Sequence, residues 1–192
     1  MCENQATVGV DLGVLRLATL STGETVEGPK PLRRLLAKLQ RCSRQLSRKV
    51  KGSRNRAKAK DRLARLHARI TCQRKDVLHK LSTDLVGRFG VIVLEDLHVK
   101  GMVRNHRLAR AISDMGFGMF RQMIAYKAAA AGVQVLYADR WFPSSKVCSS
   151  CGTVWDELPL SQRVYSCACG FVADRDLNAA LNLANYPRLA GK

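Results

Sequence analysis

Aromatic residues are scarce: five Phe, four Tyr and two Trp make up 6% of the 192 residues. A core without many rings must be filled by Leu, Val, Ile and Ala, and the 46% hydrophobic content suffices for one sizeable core and a small appendage. Acids are few beside bases, 15 against 33, and the formal net charge is +18. So one-sided a balance makes a polyanion the expected partner. An anionic membrane surface is the competitor, but no segment joins a clean apolar face to an aromatic-anchored basic one, which favours nucleic acid. No apolar run approaches the ~20 residues that cross a bilayer, and internal repeats and low-complexity tails are lacking. Met1-Cys2-Glu3-Asn4-Gln5 offers neither a basic nor an apolar signal region, so a cytoplasmic location is expected. In that reducing setting the seven cysteines should not form disulfides, and clustered ones are metal ligands first.

Val8-Gly9-Val10-Asp11-Leu12-Gly13, Leu17 to Leu20 and Thr25-Val26-Glu27 predict three strands of an antiparallel meander, with a turn at Ser21-Thr22-Gly23-Glu24. From Pro31 to about Arg88 the period becomes helical. Leu32, Leu35, Leu36, Leu39 and Leu46 form one apolar series; Leu63, Leu66, Ile70, Val77, Leu81 and Leu85 form the next, across a basic turn at Lys51-Gly52-Ser53-Arg54-Asn55. An antiparallel helical hairpin is expected. Between Lys30 and Lys80 stand 19 Lys or Arg against two acids, Asp61 and Asp76, so this hairpin holds +17 of the +18. Solvated helices ordinarily mix signs; this one hardly does, which predicts a phosphate-backbone surface. The candidate contacts are Arg44, Arg48, Lys49, Lys51, Arg54, Arg56, Lys58 and Lys60.

Val91-Ile92-Val93-Leu94 predicts a strand buried on both faces and ending in Glu95-Asp96. A polar stretch, Lys100 to Arg110, leads to a helix from about Phe117 to Ala131, a strand at Gln134 to Tyr137, a turn-rich cysteine segment at 144–170 and a last helix from about Asp176 to Asn185. A meander followed by strands alternating with helices is the RNase H-like order of an α/β mixed sheet.

Cys148-x-x-Cys151 and Cys167-x-Cys169, separated by fifteen residues, present four thiolates in two knuckles, each followed by a glycine, Gly152 or Gly170. Knuckles need positive φ or close backbone approach there, and zinc takes four tetrahedral thiolates, so one structural zinc ribbon is expected. Such a site has no open position and is not the catalyst. Cys42 and Cys72, in the hairpin, are expected to be small packing residues, and Cys2 stands apart.

Three acids fall where strand ends and helix starts converge: Asp11, Glu95 and Asp176. Singly, each has an ordinary explanation as a turn, loop or helix-start residue. Jointly they form a carboxylate set suited to two Mg or Mn ions and to two-metal phosphodiester hydrolysis.

Val8 to Gly13, Leu94-Glu95-Asp96-Leu97 and Asp174-Arg175-Asp176-Leu177-Asn178-Ala179-Ala180 resemble the three RuvC motifs of the TnpB (OrfB) family. Lys51-Gly52-Ser53-Arg54-Asn55-Arg56, His79-Lys80-Leu81-Ser82, Asn105-His106-Arg107-Leu108-Ala109 and Arg140-Trp141-Phe142-Pro143-Ser144-Ser145-Lys146 resemble intervening stretches of that family. The family comprises insertion-sequence proteins, often catalogued as transposases, that act as RNA-guided DNA nucleases. The resemblance implies a RuvC-type core at 1–143, carrying the 31–88 hairpin as an insertion, a zinc ribbon at 144–170 and a C-terminal helix at 171–192 completing the core. It also implies that Asp11, Glu95 and Asp176 are the catalytic metal ligands, with Asp174 assisting, Arg175 contacting the scissile phosphate and Asn178 bracing the site. DNA and a guide RNA are the implied partners. Members carry, before the first motif, a β-barrel and helical lobe that grip the guide; with Asp11 so near the start, that lobe is expected to be absent or supplied by a separate chain.

A metal-dependent DNA endonuclease domain is thus the leading expectation. The alternative is a truncated, catalytically inactive remnant that still binds nucleic acid. A junction resolvase shares the core but not the ribbon or the lone basic hairpin, and a strand-joining transposase would use the same acids.

Overall fold

The computed structural model describes residues 6–156, 158–159 and 161–190. Alternating Val8 and Val10 make Thr7–Asp11 the first strand, β1; Ala18–Leu20 (β2) and Thr25–Val26 (β3) complete the expected meander. Val91–Glu95 (β4) and Gln134–Ala138 (β5) run parallel to β1, giving a five-stranded mixed sheet in the order β3-β2-β1-β4-β5.

The register decides what each face does. Val10 lies opposite Leu94 on β4, so Asp11 follows on β1 where Glu95 follows on β4. Side chains alternate across a strand, and the two faces are therefore distinct. Val8, Val10, Ile92 and Leu94 face the main core with Leu78, Leu81, Leu85, Phe120 and Ile124. Gly9, Asp11, Val93 and Glu95 belong to the opposite face, where Val93 packs with Ala138 and Leu183. The strand is covered on both sides, as its unbroken apolar run predicts.

Pro31–Ser47 (α1) and Arg54–Arg88 (α2) form the basic hairpin. Its outer part has a separate small core of Cys42, Leu66 and Ile70, flanked by Leu32, Leu35, Leu39 and Leu63. Cys42 packs there as expected, whereas Cys72 is exposed, because its position falls off the apolar stripe that carries Leu66 and Ile70. Cys2 lies outside the described residues.

The polar stretch hides two short helices, Val99–Arg104 (α3) and Ala109–Met115 (α4), before the expected Phe117–Ala131 (α5). Asp114 in α4 is 2% exposed. Its carboxylate accepts the Leu32 and Arg33 amides, each at 2.9 Å, so α1 is capped from another helix rather than by Lys30 before it. Arg74 of α2 donates to the Asp114 backbone carbonyl at 3.0 Å and to its carboxylate at 3.3 Å. One buried acid thereby fixes both arms of the hairpin to the body.

The last elements are the hairpin Val164–Ser166 (β6) and Val172–Asp174 (β7), and the helix Arg175–Ala190 (α6). Gly9 is where α6 meets β1. A Cβ there would overlap the Ala180 carbonyl oxygen and the Ala184 amide nitrogen and lie 2.9 Å from Leu183 Cβ. Both overlaps are with helix backbone, which cannot rotate away. The Gly9→Ala protein is expected to lose about 3 kcal/mol or more, seen in a thermal melt as a fall of roughly 6–12 °C. An unchanged melt would mean that α6 does not sit on this strand.

Candidate active site and metal centre

Asp11 and Glu95 end adjacent parallel strands and share the face that α6 covers. Asp176 stands in the first turn of α6, one helical turn before the Ala180 carbonyl that abuts Gly9. The close approach at Gly9 therefore brings the helix start to the strand ends. Burial pushes the Asp11 carboxyl well above the usual carboxylate range. The charges of Glu95 and Asp176 raise it further, Arg175 opposes the rise, and Asp174 adds a smaller push. Asp11 is thus within electrostatic reach of both Glu95 and Asp176, with Arg175 as the opposing positive charge. In its chemistry that donor set, hard oxygens of like charge, suits a divalent cation such as Mg or Mn.

Neighbouring groups hold these carboxylates. The Ser144 hydroxyl donates to Glu95 Oε1 at 2.5 Å. Asp174 accepts the Asp176 amide at 2.9 Å and the Leu177 amide at 3.4 Å through one oxygen, and Arg16 at 3.1 Å through the other. Asp174 is therefore the cap of α6, and both its oxygens are engaged. Arg175 donates to the Pro159 carbonyl at 3.0 Å and lies 3.5 Å from the Ser145 hydroxyl. Asn178, fully buried, donates to the Val147 carbonyl at 2.7 Å and accepts the Ser149 amide at 3.0 Å. One turn on, Asn182 donates to the Ser144 and Val147 carbonyls, each at 2.7 Å. Two asparagines on one face of α6 thus clamp Ser144–Ser149. Asn182 and Ser144 were not singled out from the sequence; Asn182, four residues after Asn178, was the available signal.

The clamped segment leads into the cysteine cluster. The ligand sulfurs of Cys148, Cys151, Cys167 and Cys169 all lie within 4.8 Å of one another. The pairs Cys148–Cys169 and Cys151–Cys167 are 3.8 and 3.6 Å apart. A tetrahedron with Zn–S bonds of ≈ 2.3 Å has edges of ~3.8 Å, so the donors fit zinc. The two turns form as their glycines predict: the Gly152 and Gly170 amides bond back to the Cys148 and Cys167 carbonyls, at φ of 78° and 89°. Thr153 hydrogen bonding lowers the Cys151 thiol to about 6, while Cys167 beside it is pushed up to about 11, so the fit to zinc rests on the geometry of the four sulfurs. The short Cys167-x-Cys169 spacing still delivers both sulfurs. Among the described residues no other set of acids, histidines and cysteines is drawn together this tightly.

On the hairpin, Arg44, Arg48, Lys49, Lys51, Arg54, Lys58 and Lys60 are exposed. Arg48, Lys49, Lys58 and Arg62, with Gln45 and Asn55, line an open cavity of about 500 Å³. Arg56 differs. It is half-buried and donates to the Leu46 and Lys49 carbonyls at 3.1 Å each, bracing the turn. No described helix is long and apolar enough to cross a membrane.

The family model OrfB_IS605, described as "Probable transposase", matches residues 2–106, and the model described as "Cas12f1-like, TNB domain" matches residues 117–183. The "Putative RNA-guided DNA endonuclease" of Streptomyces pristinaespiralis is 52% identical over 178 residues, which cover 93% of this chain and 44% of that protein. The "Putative RNA-guided DNA endonuclease InsQ" of Escherichia coli K12 is 40% identical over 192 residues, covering 92% of the chain and 48% of the relative. The chain therefore spans less than half the length of these curated relatives. Among solved structures, a chain of the cryo-EM Cas12f1–sgRNA–target DNA complex superposes with a TM-score of 0.62 at 19% identity, over 93% of this chain and 49% of that one. At that identity the likeness establishes a shared fold.

Proposed function

We propose that this chain, which belongs to the OrfB_IS605 family of probable transposases, is the nuclease part of an RNA-guided DNA endonuclease. Its core is RNase H-like (RuvC-type), formed by residues 1–143 and 171–192, with a zinc ribbon at 144–170 set between them. The observation that carries this reading is the convergence of Asp11, Glu95 and Asp176 where β1, β4 and α6 meet.

Asp11, Glu95 and Asp176 are the residues that hold the catalytic cations. A pair of Mg or Mn ions held there would supply water activation and leaving-group stabilisation for phosphodiester hydrolysis. The rest is the work of the chain. Ser144 fixes the rotamer of Glu95 by occupying one oxygen and leaving the other free. Asp174 caps α6 and so sets the direction in which Asp176 projects. Arg175 contributes positive charge beside Asp11, where a phosphate would come to lie. The hairpin cations grip the backbone of DNA or of a guide RNA, the kinds of partner present in the Cas12f1 complex.

The test is cleavage of labelled single-stranded DNA by the purified chain with Mg or Mn, beside the Asp11→Ala variant. Cutting by the parent alone supports the reading. Tight binding with no cutting by either protein sinks autonomous cleavage and identifies a binding module, or a part that needs another chain.

The hairpin makes a separate prediction. Neutralising Arg48, Lys49 and Lys58 together with glutamine is expected to weaken DNA binding and lower the slope of log K against log salt by roughly two, at ~0.7 per phosphate contact on a single strand. An unchanged slope would place the contacts elsewhere.

A further inference from the structure

Trp141 is 84% exposed, the most exposed of the large hydrophobic side chains among the described residues. Tryptophan is enriched at interfaces, where its ring offers a large apolar face and a polar N–H. The loop beneath it is held in place. The Trp141 amide donates to Asp139 Oδ1 at 2.8 Å and the Phe142 amide to the Asp139 carbonyl at 2.9 Å. The Asp139 amide donates to the Tyr186 hydroxyl at 3.1 Å, and Phe142 meets Tyr186 edge-on at 5.0 Å. The ring is presented by a loop whose backbone is tied at several points.

Its position ties it to the acids. Glu95 pairs with Ala138 across β4 and β5, so Asp139, Arg140 and Trp141 leave the sheet at the edge where Glu95 stands. Only two residues separate Trp141 from Ser144, whose hydroxyl is on Glu95; their Cα atoms can be no more than ~11 Å apart. Trp141, Arg140, Arg121 and Tyr137 line an open cavity of about 490 Å³ beside Asp96. Arg121 is committed, bonded to Asp96 at 2.6 Å and stacked on Tyr137 at 4.1 Å. Arg140 reaches Asp96 only at 3.4 Å and is 47% exposed, so it is free to turn toward a phosphate at little cost.

We propose that Trp141 is a stacking platform for a base of single-stranded DNA, with Arg140 taking the adjoining phosphate, which holds the strand as it enters the acid edge. An exposed ring beside a lightly paired arginine is the combination that binds single strands without reading sequence, and the +18 chain supplies the charge complement. The inference rests on the nuclease reading for its purpose but is tested without cleavage.

In a Trp155→Phe background Trp141 is the sole indole. Titrating that 192-residue chain with oligothymidylate, in buffer free of divalent cations, is expected to quench its emission. Anisotropy of an end-labelled strand should show binding weakened about tenfold in Trp141→Ala and far less in Trp141→Phe. A strand lacking bases should bind the parent and Trp141→Ala equally. Unchanged emission on a strand that anisotropy shows to be bound, or equal affinity of Trp141→Ala for oligothymidylate, would overturn the platform while leaving the nuclease reading intact. Quenching by a protein that never cuts with Mg or Mn would do the reverse.

Discussion

Asp11→Asn is expected to abolish cleavage and, in the same preparation without divalent cations, to raise the melting temperature at neutral pH. Cleavage should fall by at least ~10³-fold, because a metal-binding carboxylate contributes several kcal/mol to the transition state. The gain in stability follows from the raised Asp11 pKa, whose first cause is burial. A carboxyl whose folded pKa lies above its unfolded value stabilises the fold below the unfolded pKa, near ~3.9, and loses that contribution as pH rises through the folded pKa. At neutral pH the parent bears that loss; the amide, neutral throughout, does not. The two melting curves should therefore coincide below ~3.9, part as pH rises from there to the raised pKa, and stay apart above it, by roughly 2–4 °C for each kcal/mol relieved. Added Mg should stabilise the parent more than Asp11→Asn. A variant that melts lower than the parent at neutral pH would show that Asp11 is held by structure and not strained by charge.

Loss of zinc is expected to be as damaging by another route. The purified chain should contain one zinc, and Cys148→Ser, which removes the buried member of the set, should contain little. Structural zinc in small ribbons contributes on the order of 10–16 kcal/mol, comparable to the whole stability of a domain. Without it the 144–170 segment should become protease-sensitive, and the groups that Asn178 and Asn182 hold would lose their order. Ser144 lies in that segment, so cleavage should fall with all three acids still present. Zinc content by atomic absorption, limited proteolysis and the cleavage assay together check this. Full cutting by a zinc-free, protease-resistant chain would sink it.

The sheet, the hairpin and the cysteine cluster were legible because each rests on a local rule. Val91 to Leu94 announces a doubly covered strand, the leucine series announces helices, and paired cysteines with following glycines announce metal knuckles. The three acids were legible as strand-end and helix-start residues whose joint meaning came from the motifs of the family they resemble. What was illegible depends on contacts distant in sequence. Asp114 is a polar residue in a buried helix position, which breaks the apolar stripe of α4 and conceals the helix, yet it caps α1 some eighty residues away. Arg56 resembles its basic neighbours until the turn folds and leaves two carbonyls for it to satisfy. Ser144 and Asn182 gain their meaning from α6 lying against the segment before the cysteines. Pattern carries what a strand or helix is; partnership across the fold is written in no single window.

The two asparagines of α6 would also couple ions held at the two sites. The helix that bears Asp176 at its first turn holds, through Asn178 and Asn182, the backbone leading into Cys148. If ordering that backbone helps seat the helix, then zinc in the ribbon improves the fit for magnesium at the acids. Reciprocity then requires that magnesium improve the hold on zinc by the same factor. The helix would be the shaft of a balance on which neither ion is weighed alone.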